Sequence, residues 1–270
     1  MRKFLLLITI LTLILNGCSK QEIHTSLTCT IEISDNGIIA NNKPATFTAI
    51  IDGEYKDIIS VDFYIDGILQ KSIFMPPFSY ENIFQDLDTG LHKVNIIINC
   101  TDGSLIKAES HFTFIVKLGD WYQGGMVVYI SEDGLSGIIA ARNDLEGKYK
   151  WGNTDNIYDA YSPNDGYANT QKFINEQNKE FAAVACLNYS DGNYNDWYLP
   201  SIEEFQYIHN FENELIIPRS NNIYWTSTQI DASHAKVDYF GRVAFTMDDL
   251  IIDKNRHYVR PFRRFGSIPN

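Results

Sequence analysis

The sequence predicts an exported protein with two folded units, an all-β sandwich followed by an α+β domain. Three observations carry this. An apolar leader ends in a cysteine; residues 28–117 break into short strand-like runs punctuated by Asp-Gly turns; and all four tryptophans, with every helix-like stretch, fall after Asp120.

The leader comes first. Arg2 and Lys3 precede an apolar run from Phe4 to Leu15, and Asn16-Gly17-Cys18 follows. A bilayer-spanning helix needs about 20 apolar residues, so this shorter run reads as a signal-peptide core over residues 1–17. The small Gly17 exposes the bond before Cys18 to a peptidase, and the order of charge, apolar core, small residue and cysteine resembles a bacterial lipobox. That resemblance implies diacylglycerol on Cys18, with residues 18–27 as a tether. Two acyl chains hold a protein firmly on a bilayer where one does not. Ser19 and the charged Lys20-Gln21-Glu22 favour the outer membrane or cell surface as its place.

Composition narrows the partners. The formal charge is -12 for the 270-residue chain, and loss of Arg2 and Lys3 with the leader makes the mature chain more acidic still. Such a surface is repelled by phosphate backbones, which excludes nucleic acid as a natural partner. At 44% hydrophobic and 13% aromatic residues the chain has enough apolar surface for two cores.

Residues 28–117 carry turn signals at Asp35-Asn36-Gly37, Asp52-Gly53, Asp66-Gly67 and Asp102-Gly103, each beside an apolar or alternating run. Short strands at this spacing argue a β-sandwich. The series Val61 to Gly67, Pro77-Phe78-Ser79-Tyr80 and Thr89-Gly90-Leu91-His92 resembles the immunoglobulin-like domains of secreted bacterial proteins, which implies a spacer or docking module. His92, alone at a strand start, reads as structural. Cys29 begins the first strand and Cys100 ends a later one, so a Cys29–Cys100 disulfide and two free buried thiols are both open.

Residues 119–265 read as a hairpin (Tyr122 to Ile130, then Gly137 to Ala141), helices near 171–178 and 180–189, and a helix from Ile202 to His209 opened by the Ser201/Glu204 capping box. Strand-like segments follow at Tyr224 to Thr228, Val237 to Phe245 and Tyr258 to Phe265. Five motifs stand in one order: Gly124-Gly125 before a strand, Trp151-Gly152-Asn153-Thr154, Asp196-Trp197-Tyr198-Leu199-Pro200-Ser201 with Glu204, Tyr224 to Thr228, and Val259-Arg260-Pro261-Phe262-Arg263-Arg264-Phe265. In that order they resemble the DUF1566 family, related to the C-terminal domain of the Legionella collagen-like adhesin. The resemblance implies a C-type-lectin-like α+β fold whose long loops hold the variable surface.

Candidate sites follow from chemistry. Trp197 and Trp225 read as core, whereas Trp151 precedes a polar loop and is either core or an exposed platform for a sugar ring. With it, Asn153, Asp165, Asp191 and Asn195 form the candidate ligand-binding set. Carboxylates at Asp159, Asp165, Asp191 and Asp196 are candidate calcium ligands, against the reading that they are solvated turn residues. Cys186, in an apolar helical run, reads as an inert core thiol. Arg256, Arg260, Arg263 and Arg264 offer either an acidic-glycan surface or internal ion pairs. No paired-cysteine, Ser-His-Asp or H-E-x-x-H arrangement is present, so an enzyme is not expected. The expected function is an envelope lipoprotein presenting a lectin-like domain to a glycan or protein ligand. The alternatives are an enzyme on envelope polymers and a structural subunit of a surface assembly.

Overall fold

The computed structural model describes residues 27–53, 57–154, 156–176, 179–211, 215, 222–240, 249–251 and 255–266; Cys18, with the leader and most of the tether, lies outside them. The chain is mostly β-sheet.

Among the described residues, eight strands make the first unit. They are β1 (Thr28–Ile33), β2 (Ile38–Ala40), β3 (Pro44–Asp52), β4 (Ile58–Ile65), β5 (Ile68–Ile73), β6 (Ser79–Ile83), β7 (Gly90–Cys100) and β8 (Leu105–Ile115). A three-stranded sheet in the order β1-β3-β6 faces a five-stranded sheet in the order β2-β8-β7-β4-β5. Alternation decides which side chains meet between them: Phe47 of β3, Phe63 of β4 and Phe112 of β8 each point inward, and the rings of Phe47 and Phe112 lie 5.4 Å apart. The Asp66-Gly67 signal is the β4–β5 hairpin, with both residues in the left-handed region as a tight two-residue turn requires. His92 is structural: its Nδ1 lies 2.6 Å from the Asp66 carboxylate and its Nε2 2.7 Å from the Asp88 carbonyl.

For the thiols, the structure takes one of the two alternatives left open by the sequence. Cys29, Cys100 and Cys186 are all free. Cys29 pairs with Ile51 in the three-stranded sheet, and Cys100 ends β7 in the five-stranded one, so a bridge would have to cross the sandwich. Burial pushes the Cys29 thiol up to about 11 and Cys186 well above its ordinary range, so neither is a ready nucleophile at neutral pH.

Among the described residues, the second unit has two sheets and three short α-helices. Strands β9 (Trp121–Tyr122), β10 (Gly125–Ile130), β11 (Gly137–Ala141) and β15 (Phe262–Phe265) form one sheet in the order β15-β11-β10-β9. Strands β12 (Asn222–Gln229), β13 (His234–Phe240) and β14 (Asp249–Ile251) form the other. The β10–β11 hairpin lies where the sequence places it, except that its first strand begins at Gly125 rather than Tyr122, because Gln123-Gly124 turns the chain back from β9. The helices α1 (Gly166–Gln171), α2 (Ala182–Leu187) and α3 (Ile202–Phe205) are shorter than expected. The first starts earlier than 171–178 because the Asp165 side chain accepts from the Ala168 amide and caps it there. The Ser201/Glu204 capping box is present, and α3 continues as a 3-10 turn over Gln206–Phe211.

One apolar cluster runs through both units. Tyr122, Val127, Ile139, Trp197 and Phe265 are continuous with the sandwich interior. Hydrogen bonds pin the joint: Asn41 Nδ2 donates to the Trp121 carbonyl at 3.0 Å, Tyr122 Oη to the Leu87 carbonyl at 2.9 Å, and the Gln123 amide to Asp86. The second unit is therefore seated on the sandwich.

Candidate functional site

The joint itself makes the site. Trp121 and Tyr122 end the connection from the sandwich, and a two-residue turn at Gln123-Gly124 sends the chain back as β10. Gln123 has φ 44°, a conformation that costs a branched-free side chain free energy and persists only where its surroundings impose it. Here the carboxylate of Asp86 holds the Gln123 amide, and Gln123 Nε2 donates to Asp88 at 3.2 Å. Gly124 follows at φ 89°, so close to a neighbouring wall that an added Cβ would fall 1.7 Å from Asp191 Oδ2.

Around this turn lies an open cleft of about 490 Å³, lined by Asn42, Asp86, Trp121, Gln123, Arg142 and Asp191, with Tyr189 beside them. Three of these, Asn42, Asp86 and Gln123, occupy the left-handed region. Backbone strain gathered at one place marks a surface whose shape is held by its surroundings. Trp121 is half-buried, and the exposed Arg142 stacks on it with the guanidinium carbon 4.4 Å from the ring centre. Asp191 Oδ1 accepts from the Asn193 and Tyr194 amides at 3.0 and 2.8 Å, which fixes its carboxylate against the Gly124 side of the cleft. The cleft thus combines an aromatic edge, two carboxylates, the exposed amides of Asn42 and Gln85, and a guanidinium, while the buried side chain of Gln123 is already held by Asp88, Tyr122 and Arg263. Such a set can exchange hydrogen bonds with a ligand rich in hydroxyls, both as donor and as acceptor.

The residues singled out from sequence are dispersed. Trp151 is a correction: it is fully buried, donates from Nε1 to the Thr226 carbonyl at 2.7 Å, and packs edge-on to Phe173, so it offers no face to a ligand. Asn153 is exposed, with its amide donating to Tyr158 Oη at 3.2 Å. Asn195 is exposed in the loop before Trp197. Asp165 caps α1 and pairs with Arg264 at 2.9 Å. Of the candidate ligand-binding set, Asp191 lines the cleft.

The calcium set does not assemble. Asp196 binds Arg263 through both oxygens at 2.8 and 2.9 Å, Asp165 is held by Arg264, and Asp159 stands exposed at φ 58°. Among the described residues no three His, Cys, Asp or Glu side chains converge as a metal site. Arginine supplies the counter-charge that a cation would otherwise give. The same pairs settle the arginines: Arg260 is buried against Asp144 at 2.6 Å, and Arg256 reaches Glu180 at 3.3 Å on the surface. His209 and Asp238 form a buried pair at 3.0 Å away from the cleft. His257 is held neutral to about pH 4 by burial and then by the Lys148 charge.

No motif in the sequence distinguishes Trp121, Gln123 and Arg142 as site residues. The Gln-Gly-Gly step was the one visible signal, and it reports a tight turn before a strand.

No protein-family model matches the chain, and no curated protein does. Among solved structures, a fimbrial protein from Bacteroides ovatus is 14% identical over 89% of this chain and 70% of its own, with a TM-score of 0.43. The fibronectin(III)-like modules of Clostridium thermocellum CbhA are 15% identical over 33% of this chain and 94% of theirs, at 0.27. The Bacteroides ovatus mixed-linkage glucan utilization locus protein SGBP-B, solved with a mixed-linkage heptasaccharide, is 12% identical over 50% of this chain and 35% of its own, at 0.27. At these scores the likenesses are loose and decide nothing about the site.

Proposed function

We propose that the protein is a lipid-anchored binding module of the bacterial envelope, displayed at the outer membrane or cell surface, whose interdomain cleft takes a glycan. The observation that carries this is the cleft beside Trp121, where Arg142 stacks on the indole and the carboxylates of Asp86 and Asp191 face the same space. A pyranose presents an apolar face and a rim of hydroxyls, which matches an aromatic edge set among acceptors and donors. The sandwich is the spacer, and residues 119–265 are the lectin-like head. The ordered motifs support that reading of the head, and their charged members serve its interior: Glu204, Arg260, Arg263 and Arg264 are all paired. The alternative, an enzyme on envelope polymers, would have to work through the carboxylates of Asp86 and Asp191, the pair of groups that glycoside hydrolysis uses.

A glycan array probed with the full chain, followed by titration calorimetry on the best ligand, tests the cleft. Trp121→Ala is expected to weaken binding at least tenfold, about 1.4 kcal/mol or more, as the loss of an aromatic anchor does. Full affinity in that variant would move recognition elsewhere.

The anchor is tested separately. Cys18→Ala is expected to shift the protein from the membrane fraction to the soluble fraction while its circular dichroism spectrum stays unchanged. Continued membrane retention after leader cleavage would refute lipidation at Cys18.

A further inference from the structure

The end of the sandwich opposite the cleft carries a row of large apolar side chains in water. Phe74 is 67% exposed and Met75 76%, in the segment that leaves β5 and crosses to β6; Ile59 and Leu105 are exposed as well. Strand pairing places all four together. β5 runs out at Ile73 opposite Val61, β4 begins at Ile58 opposite Cys100, and Leu105 opens β8 opposite Asn99. In the order β5-β4-β7-β8 these are neighbouring strand ends on one rim.

That rim is where the chain enters. Thr28 starts β1 opposite Asp52 at the end of β3, and β4 begins at the same end with Ile58. Val116 and the joint with the second unit lie at the other end, after β8 has run the length of the sandwich. Cys18 stands ten residues before Thr28. Even fully extended, that stretch reaches at most about 35 Å, so an anchor at Cys18 holds this rim within that distance of the bilayer.

We propose that the rim formed by Phe74, Met75, Ile59 and Leu105 docks on the surface of the lipid bilayer, inserting Phe74 and Met75 at the headgroup boundary and standing the molecule upright with its cleft outward. This rests on the lipid-anchor reading above. An apolar patch of this kind would be a liability on a freely diffusing protein, and close tethering gives it a standing partner. Four side chains are too few to hold an untethered protein on a membrane. A tether of ten residues supplies the missing effective concentration. Among the described residues the exposed charges around the rim are Asp52, Asp57 and Asp102 against Lys71 and Lys107, an acidic balance that fits zwitterionic headgroups better than anionic ones.

The test uses the full-length lipidated chain in phosphatidylcholine vesicles, with phosphatidylcholine brominated near the top of the acyl chains as quencher. Phe74→Trp places a reporter on the rim, and the parent protein's four tryptophans, all in the second unit, give the background to subtract. The added emission is expected to shift blue and to lose about half its intensity in brominated vesicles, with less quenching when anionic lipid is added. Met75→Trp should behave alike and guards against a local effect of one substitution. Flotation of the vesicles separates the two ideas. Protein that floats with them but shows no quenching at either position keeps its anchor and overturns the docking. A blue shift without quenching means that another copy covers the rim, which also overturns it. Protein that fails to float refutes the anchor, and the docking with it.

Discussion

Replacing Glu204 with alanine is expected to destabilise the second unit by about 3–5 kcal/mol, the cost of leaving buried charge and donors without their partner. Glu204 is 2% exposed and holds five groups at once. Its Oε2 accepts from the Gly166 amide and the Ser201 amide, each at 2.8 Å, and from Ser201 Oγ at 3.0 Å. Its Oε1 accepts from Tyr198 Oη and from Arg264 Nη2, each at 3.0 Å. The same carboxylate therefore closes the capping box of α3, ties down the start of α1 and neutralises an arginine that also holds Asp165. Alanine would leave buried amides unpaired and Arg264 with one partner fewer. Glu204→Gln keeps an acceptor but loses the charge and places a donor among donors, so its loss should be intermediate. Urea unfolding followed by tryptophan fluorescence measures both. A midpoint for Glu204→Ala within error of the parent would show that these hydrogen bonds contribute nothing net.

Trp151→Ala is expected to cost about 3–5 kcal/mol as well, by a different route. The indole is fully enclosed, edge-on to Phe173 at 5.1 Å and to Tyr158 at 5.8 Å, and removing it opens a cavity among rigid aromatic neighbours. The Thr226 carbonyl would also lose its donor. Trp151→Phe should recover much of the packing but not that hydrogen bond, whose loss at a buried carbonyl costs about 1–3 kcal/mol. The pair distinguishes a core residue from a sugar platform. A core residue lowers the unfolding midpoint and leaves the affinity of the folded fraction unchanged. A platform would lower affinity at unchanged stability, and that outcome would reverse the assignment made here. Trp121→Ala is expected to show the opposite pattern, since its ring is half-buried at the edge of the cleft.

These three tryptophan and glutamate positions also mark where sequence reading stops. The Ser201/Glu204 capping box was legible because it is a contact between residues three apart, formed with the chain's own backbone. That Glu204 also receives Arg264 and Tyr198 was not, because Arg264 comes from a strand sixty residues on. Trp151 and Trp121 stand beside similar polar stretches. Their different fates depend on what the rest of the chain lays over them: Phe173, Phe181 and Trp225 around the first, the joint between units beside the second. The loop aspartates looked alike in sequence, and Arg263 and Arg264 then claimed Asp196 and Asp165.

The sequence by itself determined the strand periodicity of the sandwich, the Asp66-Gly67 hairpin, the β10–β11 hairpin and the capped start of α3. Each is decided by side-chain alternation or by hydrogen bonds within a few residues, which are written locally. Tertiary structure alone decided that Cys29 and Cys100 stay apart, that Trp151 is core, and that a cleft exists at all. The cleft gathers Asn42, Asp86, Trp121, Arg142 and Asp191 from five segments of two units. Their meeting depends on which apolar faces share the common core, and no local pattern carries that information, because burial is a property of the whole chain.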